Sequence, residues 1–250
     1  MDRTIFLNSF TLLEPPQWPC PRCGKSVLQI NEKSLHHNET ADSRDAHSHE
    51  DWDPEWIKEN FSCLLKCSND ACKEIVACIG ISGINEESES ENRRFVNYFI
   101  PTFFQPNLVM MDIPSDAPSD VVNELNASFS MFFSNKNAAA NSARMAVEAL
   151  LKHLGIKNFS TSQGRRHPIA LHHRIDSMPA KYSAIKDGLK AVKWIGNHGS
   201  HAGKKVTTEA LLDAYDILEV ALDNLYNKKR KQAEKIAKIV NKRKGPRAKK

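Results

Sequence analysis

The chain of 250 residues has no run of 18 or more apolar residues, so no membrane-spanning helix is expected. Its opening MDRTIFLNSF has no charged segment followed by an apolar stretch, so no secretory leader is expected either. Together these give an expectation of a cytoplasmic protein with no membrane partner. Neither a Walker pattern nor Gly-x-Gly-x-x-Gly occurs, which argues against the common phosphate-cradling nucleotide sites. No internal repeat is present. Cysteine is absent before Cys20 and after Cys78. Six cysteines crowded into one region of such a chain point to metal before disulfides. Disorder of the whole chain is excluded by ordinary composition, with 40% hydrophobic and 26% charged residues.

Charge is unevenly spread. The net charge is +5, yet residues 228–250 alone hold 12 Lys and Arg against one Glu. That segment therefore carries +11 and the rest of the chain −6. The segment also lacks aromatic residues, so it can hold phosphates but offers no platform for stacked bases.

The first hundred residues contain four runs rich in β-branched and aromatic residues: SVLQI (26–30), NFSCLL (60–65), EIVACIGIS (74–82) and RFVNYFI (94–100). Each is read as a short strand. The polar stretches 31–55 and 83–92 between them read as exposed loops, the second closing a hairpin. From Pro101 to Pro118 the chain is too proline-dense for a central strand or a helix interior, and a boundary is placed there.

Beyond residue 118 the hydrophobic period becomes helical. Val122, Leu125, Phe129 and Phe132 form one stripe; Ala140, Ala143, Val147, Leu150 and Leu154 form another, ended by Gly155. Ile185, Leu189 and Val192 make a third stripe, and Leu211, Tyr215, Leu218, Leu222 and Leu225 a fourth. A shorter turn of helix is expected after Pro168, with Leu171 and Ile175 inward. The last stripe continues through Ala233, Ile236, Ala237 and Val240, so 207–243 reads as one long helix. The expected organisation is α+β: a β domain over 1–100, a helical bundle over 101–227 and a basic helical tail over 228–250.

Three constellations carry chemistry. Cys20-Pro-Arg-Cys23-Gly24 is a tight knuckle, and Cys67-x4-Cys72 is a second pair. Two such pairs separated by strands suit one tetrahedral zinc held by four thiolates at about 2.3 Å. Cys63 and Cys78 then remain as buried thiols, and His36, His37, His47 and His49 read as solvated loop residues. The second constellation is LKAVKWIGNHGSHAG (189–203), where Lys193, Asn197 and His201 are spaced by four. Asn197 and His201 either tie helix ends together or place an acid–base group beside an amide and a cation. The third is the basic tail, where Lys228, Lys229, Arg230, Lys231, Lys242, Arg243 and Lys244 are the candidate phosphate contacts.

The segments AAANSARMAVEALLKHLG (138–155), KAVKWIGNHGSHAG (190–203) and the following AYDILEVALDNLY helix resemble domain-of-unknown-function family 4145, an outlying group of HEPN-like helical bundles. The proline-rich lead-in, the Arg144/Glu148 pair and the WIGNxxSH run carry the resemblance, and members often bear an N-terminal Cys-pair ribbon. The resemblance implies a zinc ribbon of short strands followed by a HEPN-like bundle. Such domains occur on restriction enzymes and in phage-defence loci, which implies binding of nucleic acid or of a defence-system protein. Many HEPN relatives are metal-independent ribonucleases whose Arg and His motifs meet across a homodimer. Here Gly196 stands at the Arg position, which favours binding. Asn197 and His201, with Arg144 or Lys193 supplying charge and Glu148 orienting, keep a dimeric ribonuclease as the alternative.

Overall fold

A computed structural model describes residues 3–246 apart from 8, 90, 91, 163 and 201–203. The architecture is α+β, an N-terminal antiparallel sheet followed by a helical region. The chain forms two compact units. One comprises Met1–Met110, Asn126–Ala139 and Thr207–Glu209; the other comprises Met111–Leu125, Ala140–Val206 and Ala210–Lys250.

The first unit is built on strands β1 (Leu28–Glu39), β2 (Lys58–Cys67), β3 (Ile75–Glu89) and β4 (Asn92–Gln105), arranged in that order as one antiparallel meander. The strands have 10 to 15 residues, longer than the apolar runs suggest. Residues 31–39, expected as loop, continue β1. This strand is an edge with mostly exposed residues, so it needs no apolar alternation to stay paired. Its register sets His37 against Phe61 and Glu39 against Glu59. The rest of that polar stretch holds helix α1 (Ala41–Ala46), whose first turn is capped by the Thr40 hydroxyl accepting from the Ser43 N–H at 3.3 Å. Residues 83–92, also expected as loop, are largely strand. Glu87 faces Arg94 across the hairpin, an opposite-charge pair that supports an otherwise polar ladder.

Proline at 101 does not end β4. The strand lies at the sheet edge, where a missing N–H need not break the ladder, and a bulge follows where Ile79 opposes Phe103 and Gly80 opposes Pro101. Gly80 is required there. A Cβ at that position would collide with the Ile100 carbonyl and lie 2.6 Å from the Phe61 ring. The inner face of the sheet buries Phe61, Cys63, Leu65, Val76, Cys78, Phe99 and Phe104. Against them pack Phe10, stacked on Phe99 at 5.4 Å, and Trp18, edge-on to Phe104 at 5.0 Å. The Trp18 indole N–H donates to the Ile5 carbonyl at 3.0 Å. Burial of these rings stabilises this unit.

The helical region comprises α2 (Ser119–Met131), α3 (Lys136–His153), α4 (Leu171–Asp176), α5 (Ser183–Ser200), α6 (Thr208–Tyr226) and α7 (Lys228–Arg243). The stripes read from the sequence fall on the core-facing sides of α2, α3, α5 and α6: Leu125, Phe129, Val147, Leu150, Ile185, Leu189, Leu218 and Leu222 are buried, while Val122, Leu154 and Leu225 are half-buried. Gly155 closes α3 at φ +76°, with its N–H donating to the Lys152 carbonyl at 3.0 Å. A small exposed hairpin, β5 (Phe159–Ser162) with β6 (Arg165–Pro168), has no sequence signal of its own.

The single helix expected over 207–243 is two helices. Asn227 takes an extended conformation, and its side chain accepts from the Arg230 N–H at 3.1 Å, starting α7 afresh. Asn is a strong N-cap, so hydrophobic periodicity alone could not register the break.

Candidate metal centre, polar helix face and basic helix

Cys20 and Cys23 sit on the knuckle before β1, Cys67 ends β2, and Cys72 lies in the turn leading to β3. Gly24 takes φ +60°, which lets the backbone fold back under the first pair, and the Gly24 N–H donates to the Cys20 carbonyl at 2.9 Å. Lys73, at φ +56°, plays the corresponding part after Cys72. The four Sγ atoms lie within 4.8 Å of one another. Cys20 to Cys72 and Cys23 to Cys67 are both 3.8 Å. A regular tetrahedron with metal–sulfur bonds of about 2.3 Å has edges of about 3.8 Å, so two of the sulfur pairs already stand at ligating distance. These residues can hold one metal ion.

The backbone supports charge on these sulfurs. The Lys25 N–H holds the Cys23 thiol well below its ordinary value, at about 6, with smaller help from the neighbouring thiols. Burial pushes Cys67 up to about 12 when no ion is bound, against the pull of the Asn69 N–H, which reaches its Sγ at 3.4 Å. A bound cation would supply what that buried thiolate lacks. Cys63 and Cys78 take no part. They face each other across β2 and β3, buried and free. His37 and His47 are engaged by carboxylates, Glu59 at 2.9 Å and Glu39 at 2.7 Å.

In the helical region, α5 approaches α3 at Gly196, the residue before Asn197. A Cβ placed at 196 would lie 2.5 Å from the Arg144 Cβ and 2.8 Å from the Ala140 carbonyl oxygen. The side chain of Arg144 thus occupies the space that a side chain at 196 would need. Its guanidinium is held at both ends: Nη1 donates to Glu148, and Nε and Nη2 donate to the Asn141 side-chain oxygen at 3.3 and 3.1 Å. Lys193, one turn before Asn197, is buried, and its ammonium lies 3.0 Å from the centre of the Trp194 ring. Burial lowers its pKa, and Arg144 lowers it further. Asn197 is half-buried on the same helix. His201 lies outside the described residues.

Residues 8–107 match one domain of unknown function, DUF8608, and residues 126–243 match another, DUF4145. The chain is similar to both. The DUF8608-like segment contains all four metal-site cysteines, and the DUF4145-like segment contains Arg144, Glu148 and Asn197. No curated protein and no solved structure matches the chain.

The DUF4145-like segment also holds a residue with no distinguishing mark in the sequence. Arg174 on α4 is 5% exposed, and its Nε and Nη2 have no hydrogen-bond partner among the described residues. It lines a cleft of about 340 Å³ with Glu148, Lys152 and Asn158. Burial lowers its pKa, and Glu148 is the charge that opposes the shift. Glu148 therefore lies between two arginines.

The basic residues on α7 are not equivalent. Lys228 pairs with Asp116 at 2.7 Å, and Arg230 pairs with Asp223 at 3.1 Å and Glu234 at 3.3 Å. Lys229, Lys242, Arg243 and Lys244 are exposed and make no ion pair among the described residues. Lys231 lies on the same helix. No helix among the described residues is long and apolar enough to cross a membrane.

Proposed function

We propose that this chain is a zinc-stabilised module that binds nucleic acid through its phosphate backbone. Helix α7 carries the reading: it has eight Lys and Arg against one Glu, and its described residues are exposed except for half-buried Ile236 and Val240. Such a charge density on a solvated helix attracts polyanions and exchanges their condensed counterions. The helix lacks aromatic residues, so it holds RNA or DNA backbones without reading bases.

In this reading the N-terminal site is a zinc ribbon. Four thiolates with no open position make a structural centre, which fixes the loops around β1, β2 and β3 and has no catalytic part. The helical region is a HEPN-like bundle working in the cytoplasm. The family resemblance supplies its setting, prokaryotic phage defence, with a defence-system protein as a further partner. The test is fluorescence anisotropy with labelled RNA and DNA over a salt series, comparing the full chain with one ending at Asn227. Engagement of about six phosphates predicts a log–log salt slope of roughly −5, flattened by the truncation. Equal binding by both chains at low salt would exclude the tail as the binding element.

One observation favours a second reading, a dimeric metal-independent ribonuclease using His201. Arg144 fills the space beside Gly196, and its guanidinium can stand in for the arginine that the HEPN motif places at that position. Asn197 and Glu148 would then orient His201 and Arg144. Cleavage of single-stranded RNA that is lost in His201→Ala, with the fold intact, is expected on this reading. An inactive wild-type chain leaves the binding module.

A further inference from the structure

The sheet has a second face, and its composition does not suit solvent. Period-2 alternation sends Phe61, Cys63 and Leu65 of β2 and Val76 and Cys78 of β3 inward. The outward positions on the same strands include Leu64, Ile75, Ile79 and Ile81, joined by Ile100 and Phe103 of β4, and all six are 39–48% exposed. The register brings them together. Ile79 stands opposite Phe103, Ile81 opposite Ile100, and Leu64 opposite Ala77, which lies between Ile75 and Ile79 on the same face. The patch is centred on β3, an inner strand. Charged outward residues lie at its margins: Lys66 opposite Ile75 at one end, and Lys58 opposite Gly83 at the other.

We propose that a second copy of this chain docks on this outer sheet face. The area supports that choice. Six aliphatic or aromatic side chains at such exposures present on the order of 400 Å² of apolar surface, within the range of the largest apolar patches on monomers, which are often functional. A stable homodimer interface needs about 800 Å² per partner, with roughly two-thirds of its area apolar. An interface of that size takes in the polar margin around the patch, where Asn60 and Ser62 of β2 stand opposite Ile81 and Ile79 and Gln105 of β4 stands opposite Ala77. Its shape also fits a copy of itself. The patch runs about 20 Å along β3 from Ile75 to Ile81 and is three strands wide, and it carries no charge at its centre. Two such faces can stack about 10 Å apart with their strands nearly aligned, as sheets in a sandwich do. A two-fold axis lying between the two faces and passing over Ile79 sets Ile79 of one copy against Ile79 of the other.

This interface is separate from the polar helix face and from the basic helix. It does not depend on nucleic-acid binding. The experiment is sedimentation equilibrium of the full metal-loaded chain from about 1 to 100 µM, in buffer salt high enough to screen charge contacts. The wild-type chain is expected at twice its single-chain mass at the upper concentrations. Ile79→Lys, which places two like charges at the axis, should weaken the dimer at least about 30-fold, with metal content and far-ultraviolet circular dichroism unchanged. Phe103→Gln is the second variant, carrying the test if Ile79→Lys fails to fold, and should weaken the dimer in the same direction. A wild-type chain that stays at single-chain mass to about 100 µM overturns the proposal, whatever else that face binds. A dimer that is unchanged in the folded variants also overturns it, because association then runs through another surface.

Discussion

The side chain of Arg144 on α3 fills the place that a side chain at Gly196 on α5 would take. A Cβ there would lie 2.5 Å from the Arg144 Cβ and 3.2 Å from its Cδ. Two helices separated in sequence meet because one has a glycine and the other a long side chain lying across it. The contact fixes Arg144 beside the Asn197 turn, and Asn141 and Glu148 hold its guanidinium in place.

This contact makes Gly196→Ala a test between two opposing effects. Alanine in a helix interior is favoured over glycine by about 1 kcal/mol. Overpacking a filled site costs about 1–3 kcal/mol, and here part of the obstacle is the Ala140 carbonyl, which cannot turn aside as a side chain can. The expected net effect is a loss of about 1 kcal/mol in urea unfolding. A more stable variant would show that α3 and α5 are not in such close contact.

The metal centre gives a pH-dependent count of protons. Thiolates bind metal, so every protonated cysteine releases a proton when the ion enters. Cys23 sits at about 6 in the metal-free site because of the Lys25 N–H, so above that pH it has no proton to release. Below it, Cys23 is protonated and contributes one more. Calorimetric titration with zinc in buffers of different ionisation enthalpy should give about one additional proton per metal as pH falls from about 7.5 to about 5. A proton count that is flat across this window would mean Cys23 is not depressed. Cys20→Ser or Cys72→Ser should lose the metal and loosen the first unit.

Arg174 offers a stability test of opposite sign. Its Nε and Nη2 are buried with no hydrogen-bond partner among the described residues, and Glu148, the carboxylate that opposes its pKa shift, accepts from Arg144. Replacing an unpaired buried cation by an apolar side chain of similar length is stabilising when nothing else needs the charge. Arg174→Met should raise stability by about 1–3 kcal/mol, read as a Tm higher by several degrees. A Tm lower than that of the wild-type chain would mean that Glu148 is shared between the two arginines and that Arg174 holds the helix ends.

The metal centre was the part most legible in the sequence, because two short Cys pairs leave few other arrangements. The faces of α2, α3, α5 and α6 were legible for a similar reason, since periodic stripes at Leu125, Val147, Leu189 and Leu218 have one burial solution. Strand β1 was not. It is an edge whose exposed residues, such as His36 and Asn38, are polar and look like loop. The α6–α7 break was hidden because Asn227 lies within an unbroken helical period. Arg174 was hidden because its burial is set by helices distant in sequence, and nothing in HHRID marks one of its polar residues as internal.

The last prediction separates the cations of α7 by whether a carboxylate already holds them. Arg230 donates to both Asp223 and Glu234, and Asp223 followed by Glu234 raises its pKa, so the guanidinium is committed within the protein. Lys228 reaches Asp116 at 2.7 Å. A phosphate approaching either residue must compete with a carboxylate, and releases fewer counterions than it would at a free cation. Lys242 and Arg243 lie in the last turn of α7, before Lys244 in the left-handed position, with no such competitor among the described residues. Each phosphate neutralised by a free cation contributes about −0.9 to the log–log salt slope on duplex DNA. The double variant Lys242→Ala/Arg243→Ala should therefore reduce the slope by about 1.8, and Lys228→Ala/Arg230→Ala by less than about 1. Both pairs remove the same net charge, so a long-range field would change affinity alike in the two variants. The slope, measured by anisotropy on one duplex over a salt series, distinguishes contact from field. Equal slope changes would show that Asp116, Asp223 and Glu234 do not withhold their cations, and that the whole length of α7 meets the phosphates.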